Sequence, residues 1–567
     1  MDNQFSPWRY SIQIGLISSV AVLYMGVIGM IAVFHNREVI RELVTLGQLL
    51  IIMPAFMIGY TAARRIIRHR MTPLSALIAG VIVGVLTSVL TIVFLFLAEP
   101  LEMRRILVNL SRDWVNVVTF DNRSDLVIGS LTLMLVTTVS GLAGGLLAIL
   151  PTRLRNALSF GILITLLIGM FGETLRLALQ QTVSSDFMSM VFRRNTLLQP
   201  AALVIFLIGF GGHLLWSFRG ESVQRGVQQL PTGTRTILTR AVYVLIAGLL
   251  VMLPWLIGRS LSDIMVTVGI YILMGLGLNI AIGLTGMLDL GYVTNYAVGA
   301  YTMAVLTSTS ELGRGGGVLN FWLVIPIAVI LAMATRFLLT LPILKMRGDY
   351  LAIATLGFGE IIGTLANSDW LAPLVGGAQG VLFVPKPNFF GITLVDPEQL
   401  YYVVLVACGL FLFISLRLSN SRIGRQWMAV REDEDVARAM GIDVTRSKLL
   451  ALTLAAAAGG LAGAIFAAKV GTVFPNSFTL FVSINVLALI IVGGLGSIPG
   501  IVLGALALVG LPDLLREFSE YRFLIYGALL IFMMLNRPEG LLPSQVTRRE
   551  LHTDDETSPA PQAAAGD

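Results

Sequence analysis

Long apolar segments, each long enough to cross a lipid bilayer, follow one another along most of this 567-residue chain. A helix needs about 20 apolar residues to span roughly 30 Å of hydrocarbon, and lipid-exposed backbone must be helical because its peptide groups find no other partners there. The composition agrees, since only 13% of the residues are charged and the mean hydropathy is +0.84. We predict an all-α polytopic membrane protein with about 14–16 transmembrane or re-entrant helices.

A polar stretch at 219–240, RGESVQRGVQQLPTGTRTILTR, divides the apolar segments into two groups. The first group comprises segments at 10–34, 46–62, 74–98, 126–150, 158–179 and 201–218. The second comprises segments at 241–257, 264–284, 292–307, 321–344, 350–366, 400–418, 449–468, 482–509 and 523–535. We interpret 1–218 as a membrane extension of about six helices, 219–240 as a linker and 544–567 as a disordered tail.

Arginines follow every second segment of the first group and also occupy the loop before residue 449. Excess Arg and Lys in short loops marks the cytoplasmic side of a membrane. The pattern predicts a multi-pass plasma membrane protein whose N-terminus, linker and 419–448 loop are cytoplasmic. The first segment is too long for a signal peptide and is interpreted as a retained span.

The loop between two late segments carries REDEDVARAMGID, Arg431 to Asp443, the densest charge in the chain. Acidic residues at 432–435 would form a first helical turn, Arg438 a last turn, and Gly441 the position after the helix end, an order that suits the helix dipole and a glycine cap. The residues alone leave two interpretations open, a solvated loop helix or a helix that docks into a partner.

A glycine-rich stretch, Asn279 to Tyr301, surrounds the single acid Asp289. Its glycines are Gly283, Gly286, Gly291 and Gly299. They either let helices pack closely or interrupt a helix so that its backbone faces a passing polar solute. Asp289 either caps the following helix or lies on that pathway.

Two further features stand within apolar segments. Glu360 lies in MRGDYLAIATLGFGEI and should face protein or water, unless it is close enough to the end of its span to reach the interface. GGLGSIPG, 493–500, contains glycines and a proline that could break its segment into two half-spans or a re-entrant pair.

Several function classes are excluded by the residues. Cys408 is the only cysteine and the four histidines are scattered, so no metal-ligand pattern exists. No lysine follows a glycine, so a P-loop is absent, and no nucleophile and base converge to make a catalytic site. The location of the arginines in the loops speaks against nucleic acid. A proton-driven transporter using Glu360 or Asp289 remains a rival from another class.

Residues from about 241 to 543 resemble the permeases of branched-chain amino-acid ABC importers, of the LivM type. The resemblance rests on GLTGMLDLGYVTNYAVGAY, MRGDYLAIATLGFGEI, GGAQG, RIGRQWMAV with the charged loop, GGLGSIPG and NRPEGLLP, in the family's order. Residues 1–240 match nothing in that family and show no second glycine-rich motif or loop helix. Thr294 and Asn295 make the first motif more polar than in the family, and Asp435 and Val436 replace the Glu and Ala of its loop motif.

The resemblance implies an importer permease fold that forms half of a translocation pathway for branched-chain or related amino acids, with urea or short amides as the alternative solutes. It implies a second LivH-type permease, two ATP-binding subunits that hold ATP and Mg, and an external solute-binding protein, with no cofactor bound by this chain. Residues expected to couple to the ATPase are Arg431, Glu434, Asp435, Val436, Ala437, Met440 and Gly441. Residues expected on the pathway are Thr285, Asp289, Asn295 and Glu360. Glycines expected to be structural are Gly283, Gly286, Gly291, Gly299, Gly493, Gly494, Gly496 and Gly500.

Overall fold

The computed structural model confirms a helical polytopic protein. It describes residues 6–98, 100, 103, 106–122, 125–180, 183–228, 232–309, 319–344, 346, 348–389, 391–515, 521–536 and 540–542. Among these residues, twelve helices are long and apolar enough to cross a membrane. The chain forms two compact units, Met1–Leu249 and Leu250–Asp567.

The first unit consists of helices and two short hairpins. The helices are α1 (Pro7–Val27), α2 (Met30–His35), α3 (Leu46–Arg68), α4 (Pro73–Leu97), α5 (Arg112–Val118), α6 (Leu126–Ile149), α7 (Thr152–Met170), α8 (Gly172–Leu179), α9 (Ser185–Val191) and α10 (Gln199–Gln228). The strands are β1 (Glu38–Ile40), β2 (Val44–Thr45), β3 (Phe192–Arg193) and β4 (Thr196–Leu197). They form one sheet in the order β2-β1-β4-β3, in which only β1 and β4 run parallel.

Small residues bring the central helices of the first unit into backbone contact. Gly80 of α4 and Gly141 of α6 face each other so closely that a Cβ on either would collide with the other's carbonyl oxygen. Such approaches give helices in lipid their van der Waals contact, since apolar burial alone does not favour association there.

The second unit begins within α11 (Thr232–Asn279), which bends at Gly258 (φ 71°, ψ −177°). Its other helices are α12 (Val293–Thr307), α13 (Phe321–Thr340), α14 (Asp349–Asn367), α15 (Ala372–Val375), α16 (Pro397–Ser419), α17 (Arg422–Glu432), α18 (Glu434–Ala439), α19 (Val444–Val470), α20 (Leu480–Gly493), α21 (Ile498–Ala505), α22 (Leu511–Leu514) and α23 (Arg522–Asn536). A small hairpin, β5 (Asn388–Phe389) and β6 (Ile392–Thr393), lies between α15 and α16.

The core of the second unit is α19, whose Ala/Gly-rich length is buried on most sides. Helices α12 and α13 pack along it. A Cβ on Gly299 of α12 would collide with the carbonyl oxygen of Gly460, and one on Gly463 would collide with that of Tyr296. The α12–α19 crossing therefore requires glycine at these positions, because any side chain would keep the two helices apart.

Pro254 interrupts the hydrogen bonding of α11, and α16 compensates for it. A proline has no N–H, so the carbonyl four residues earlier, at Leu250, loses its helical donor. The Tyr401 hydroxyl donates to the Leu250 oxygen at 3.1 Å, and the Tyr402 hydroxyl donates to that of Val251 at 3.0 Å. These two carbonyl oxygens are thus bonded by protein rather than left without a donor in lipid.

The domain bounds predicted from sequence stay a prediction. The polar stretch 219–240 is helical where the structure describes its backbone, because α10 continues to Gln228 and α11 starts at Thr232. The predicted tail, 544–567, lies outside the described residues.

Candidate functional site

The glycine-rich stretch interrupts the chain between α11 and α12. A π-helix turn at Ile280–Leu284 ends α11, Gly286 has φ +71°, and regular helix resumes only at Val293. The Met287 N–H reaches back to the Ala281 oxygen at 3.0 Å. The prediction of a discontinuous helix therefore describes the backbone correctly, and π turns commonly mark functional positions.

Asp289 is buried in this interruption beside an arginine of α13. Its Oδ1 accepts from the Gly291 N–H at 3.1 Å, and its Oδ2 lies 2.6 Å from Arg336 Nη2. Both side chains are 1% exposed. Asp289 therefore does not cap α12, which has no side-chain cap, and it lies on no open surface.

Two other predicted pathway residues are also enclosed. The Thr285 hydroxyl donates to the Ala281 oxygen at 2.5 Å. Asn295 is 1% exposed, faces Gly459 of α19, and has no side-chain hydrogen-bond partner in the described part of the chain. Neither side chain reaches an open surface of the single chain.

Glu360 is different because it is exposed on α14. It is two turns before the helix end at Asn367, about 10 Å along the axis at 1.5 Å per residue. Thr364 and Asn367 continue the same exposed side, and beside it no atom of the described residues lies within 4 Å of a Cβ added at Gly357 or Gly363. An open polar stripe inside an apolar span should face water or another protein rather than lipid.

The charged loop contains the short helix α18. Asp433 Oδ1 caps its start by accepting from the N–H groups of Asp435 and Val436 at 2.8 and 3.0 Å. Gly441 follows its end with φ +83°, as a left-handed cap requires. Glu432, assigned from sequence to the first turn, instead ends α17.

The predicted coupling residues divide between two sides of α18. Val436 and Met440 are 59% and 79% exposed and lie one turn apart. Asp435 is also exposed and pairs with Arg438 at 3.4 Å. Ala437 is only 3% exposed, because it packs against Val430 and Val444. Ala437 therefore holds α18 to its own subunit.

Two side chains join this loop to the rest of the unit. Glu434 forms an ion pair with Lys448 of α19, whose side chain is 5% exposed. Arg431 Nη1 donates to the Gly283 carbonyl oxygen at 2.9 Å, in the π turn. The loop and the interrupted helix, distant in sequence, thus share one contact region.

GGLGSIPG adjoins the same region. Gly494 (φ +116°) and Gly496 (φ +75°) separate α20 from α21, and the Gly496 N–H donates to Asn279 Oδ1 at 3.1 Å. The residues after Gly540 pair with this break, since the Leu542 N–H donates to the Gly493 oxygen at 2.9 Å. Gly500 packs against Gly493, and Gly291 packs against Thr355, so the backbone approaches closely at both.

A polar cluster lies at the other end of α19. Lys469 pairs with Asp263 at 3.1 Å, and Lys386 Nζ donates to the Ala468 oxygen at 3.1 Å. Burial lowers the pKa of Lys386, and nearby Asp263 opposes that shift. Cations at these carbonyls suit the C-terminal end of the α19 dipole.

Sequence reasoning missed Arg336, Lys448 and Asn279. Arg336 carried a usable signal, because it is the one charge in the apolar stretch 321–340 and a lone charge in a span needs a partner. Lys448 and Asn279 carried none, since spacing alone does not pair Lys448 with Glu434 or Asn279 with Gly496. Among the described residues, no group of three or more His, Cys, Asp or Glu side chains could hold a metal ion.

The second unit matches a family model described as "Branched-chain amino acid transport system / permease component" over residues 260–534. The high-affinity branched-chain amino acid transport system permease protein LivM of Escherichia coli K12 is 42% identical over 340 residues, covering 56% of this chain and 77% of LivM. LivM of Salmonella typhimurium LT2 is 42% identical over 322 residues, covering 53% and 73%.

A more distant relative is the LivH permease protein of the same system in Escherichia coli K12. It is 25% identical over 289 residues, covering 48% of this chain and 91% of LivH. No solved structure matches the chain.

Proposed function

Because the chain belongs to the family of branched-chain amino-acid transport permease components, we propose that it is the permease subunit of an ATP-driven importer of branched-chain or related amino acids. It forms half of the translocation pathway and carries no ATP-binding motif of its own. Separate ATP-binding subunits with ATP and Mg supply the energy, and an external binding protein delivers the solute.

The exposed face of α18 is the observation that carries this proposal. Val436 and Met440 present apolar surface on a short, rigidly capped helix in a highly charged loop. A helix with an apolar face and a fixed shape suits a groove in a partner. An ATP-binding subunit is the partner that an importer permease requires.

The polar side of α14 supports a place for the solute. Glu360, Thr364 and Asn367 form an exposed stripe on a helix with the length and hydropathy of a span. We assign this stripe to the pathway, where water or the second permease covers it. Asp289, by contrast, is neutralised by Arg336 and acts as a structural residue.

The second permease is a LivH-type subunit. LivM and LivH both resemble this chain, so the two permeases of such a system share one ancestry. Two homologous subunits can enclose a pathway on a pseudo-two-fold axis. The proton-driven alternative gains nothing from the structure, because one of its two carboxylates is ion-paired.

The test is uptake into proteoliposomes that hold the full complex. We expect leucine uptake to require ATP, the ATP-binding subunits and the binding protein, with excess urea leaving it unchanged. Val436→Asp places a charge on the face of α18 that enters the groove of the ATP-binding subunit. It should lower uptake at least about tenfold by weakening the binding of that subunit.

Phe389→Asp is the matched control, since Phe389 is similarly exposed, 52%, but lies in the hairpin at the opposite end of α16. It should retain uptake. Uptake driven by a proton gradient without ATP-binding subunits would refute the proposal, and competition by urea would change the solute.

A further inference from the structure

We propose that Arg431 is the positioning residue through which movement of α18 reaches the π turn, Ile280–Leu284, at the interruption between α11 and α12. This inference rests on the proposed function, because it assumes that α18 docks on an ATP-binding subunit. It assigns Arg431 to transmission inside the permease rather than to the docking face.

The contact between Arg431 and Gly283 is strong enough to couple the movement of the two segments. The Arg431 guanidinium is half-buried and donates to the Gly283 oxygen at 2.9 Å, at the carbonyl end of the α11 helix. A cation at that end is favoured by the helix dipole, and charged donors make the stronger hydrogen bonds. A Cβ at Gly286 would lie 3.1 Å from Arg431 Cγ, so the arginine stem also fills the turn.

The loop that holds Arg431 is one rigid block. Helices α17 and α18 are joined through Asp433, and Ala437 packs between Val430 and Val444. The Trp427 indole N–H donates to the Ser447 oxygen at 3.0 Å and fixes α17 to the start of α19. A push on Val436 or Met440 therefore moves Arg431 with it.

The receiving end is a point where the backbone can rearrange. Gly283 sits in a π turn, Gly286 has a positive φ, and Asn279 binds the second break through the Gly496 N–H. Displacing Gly283 would therefore move both the π turn and, through Asn279, the glycine break between α20 and α21. In the described part of the chain, the hydrogen bond from Arg431 to Gly283 joins the α17–α18 block to the π turn.

The experiment measures solute imported per ATP hydrolysed by the reconstituted complex. Arg431→Met keeps the stem and removes the donor, and we expect the ratio to fall roughly tenfold while the ATP-binding subunits still co-purify. Arg431→Lys, which keeps a charged donor, should restore part of the ratio. Arg425→Met is the control on the same helix, because among the described residues Arg425 donates to the nearby Asn420 oxygen at 3.2 Å and makes no hydrogen bond to the π turn.

Two results would overturn the inference. An unchanged ratio in Arg431→Met would show that the contact transmits nothing, and loss of the ATP-binding subunits would place Arg431 on the docking face. If Arg431→Met fails to fold, judged by its elution profile and melting temperature, Arg431→Gln decides instead, because it removes the charged donor and shortens the stem, and an unchanged ratio there would show that the contact transmits nothing. Failure of the wild-type complex to import with ATP would refute the proposed function itself, and it differs from the results above because it does not depend on any Arg431 variant.

Discussion

At the scale of single residues, the Asp289–Arg336 pair shows how a charge survives inside the fold. Isolated, either group would cost several kcal/mol to bury. Together, at 2.6 Å and 1% exposure, they tie the non-helical stretch after Gly286 to α13. The sequence identified Asp289 as unusual but could not identify its role, because the partner lies on another helix and spacing gives no pairing between helices.

We predict that breaking this pair is worse than removing it. Asp289→Asn and Arg336→Met should each destabilise the protein by about 3–5 kcal/mol, since each leaves one buried charge unpaired. The double variant should melt at a higher temperature than either single variant. Thermal unfolding of the purified protein checks this, and a double variant as unstable as the sum of the two would contradict the pairing.

At the scale of helices, the apolar segments predicted the spans well, because lipid leaves the backbone no alternative. The glycines of 279–301 left close helix packing and an interrupted helix open, and did not indicate which of them make turns and which make contacts. Gly286 has a positive φ, whereas Gly299 is helical and packs on Gly460. That distinction depends on the neighbour across the crossing, which periodicity does not reveal.

We predict that Gly299→Ala disrupts the α12–α19 crossing. Its new methyl would meet the Gly460 carbonyl, and such overpacking costs about 1–3 kcal/mol. Gly409→Ala in α16 is the control, because a Cβ there meets no atom of the described residues within 4 Å, and alanine is the better helix former. Equal melting temperatures for the two variants would contradict the crossing.

At the scale of the whole chain, two loops joined by one membrane-spanning helix lie on opposite sides of the membrane. The loop of α18 and the β5–β6 hairpin are at opposite ends of α16. Arginine counts predict that the α18 loop is cytoplasmic. Family membership confirmed the permease assignment, while the role of 1–240 has no motif from which it could be predicted.

We predict opposite labelling at the two ends of α16. In a Cys408→Ser background produced without the ATP-binding subunits, which would otherwise cover this face of α18, Met440→Cys should react with a membrane-impermeant maleimide only in inverted vesicles, and Phe389→Cys only in spheroplasts. Both positions are exposed, so accessibility on each side is the variable tested. The reverse pattern would invert the proposed topology.

The burial of Ala437 bears on how such permeases could be recombined. The conformation of α18 depends on Val430 before it and Val444 after it, and Glu434 is held by Lys448. A peptide copying only 433–441 would lack these supports and should compete poorly for an ATP-binding subunit. A chimaera that exchanges partners between two importers would have to transplant 422–448 as a single cassette.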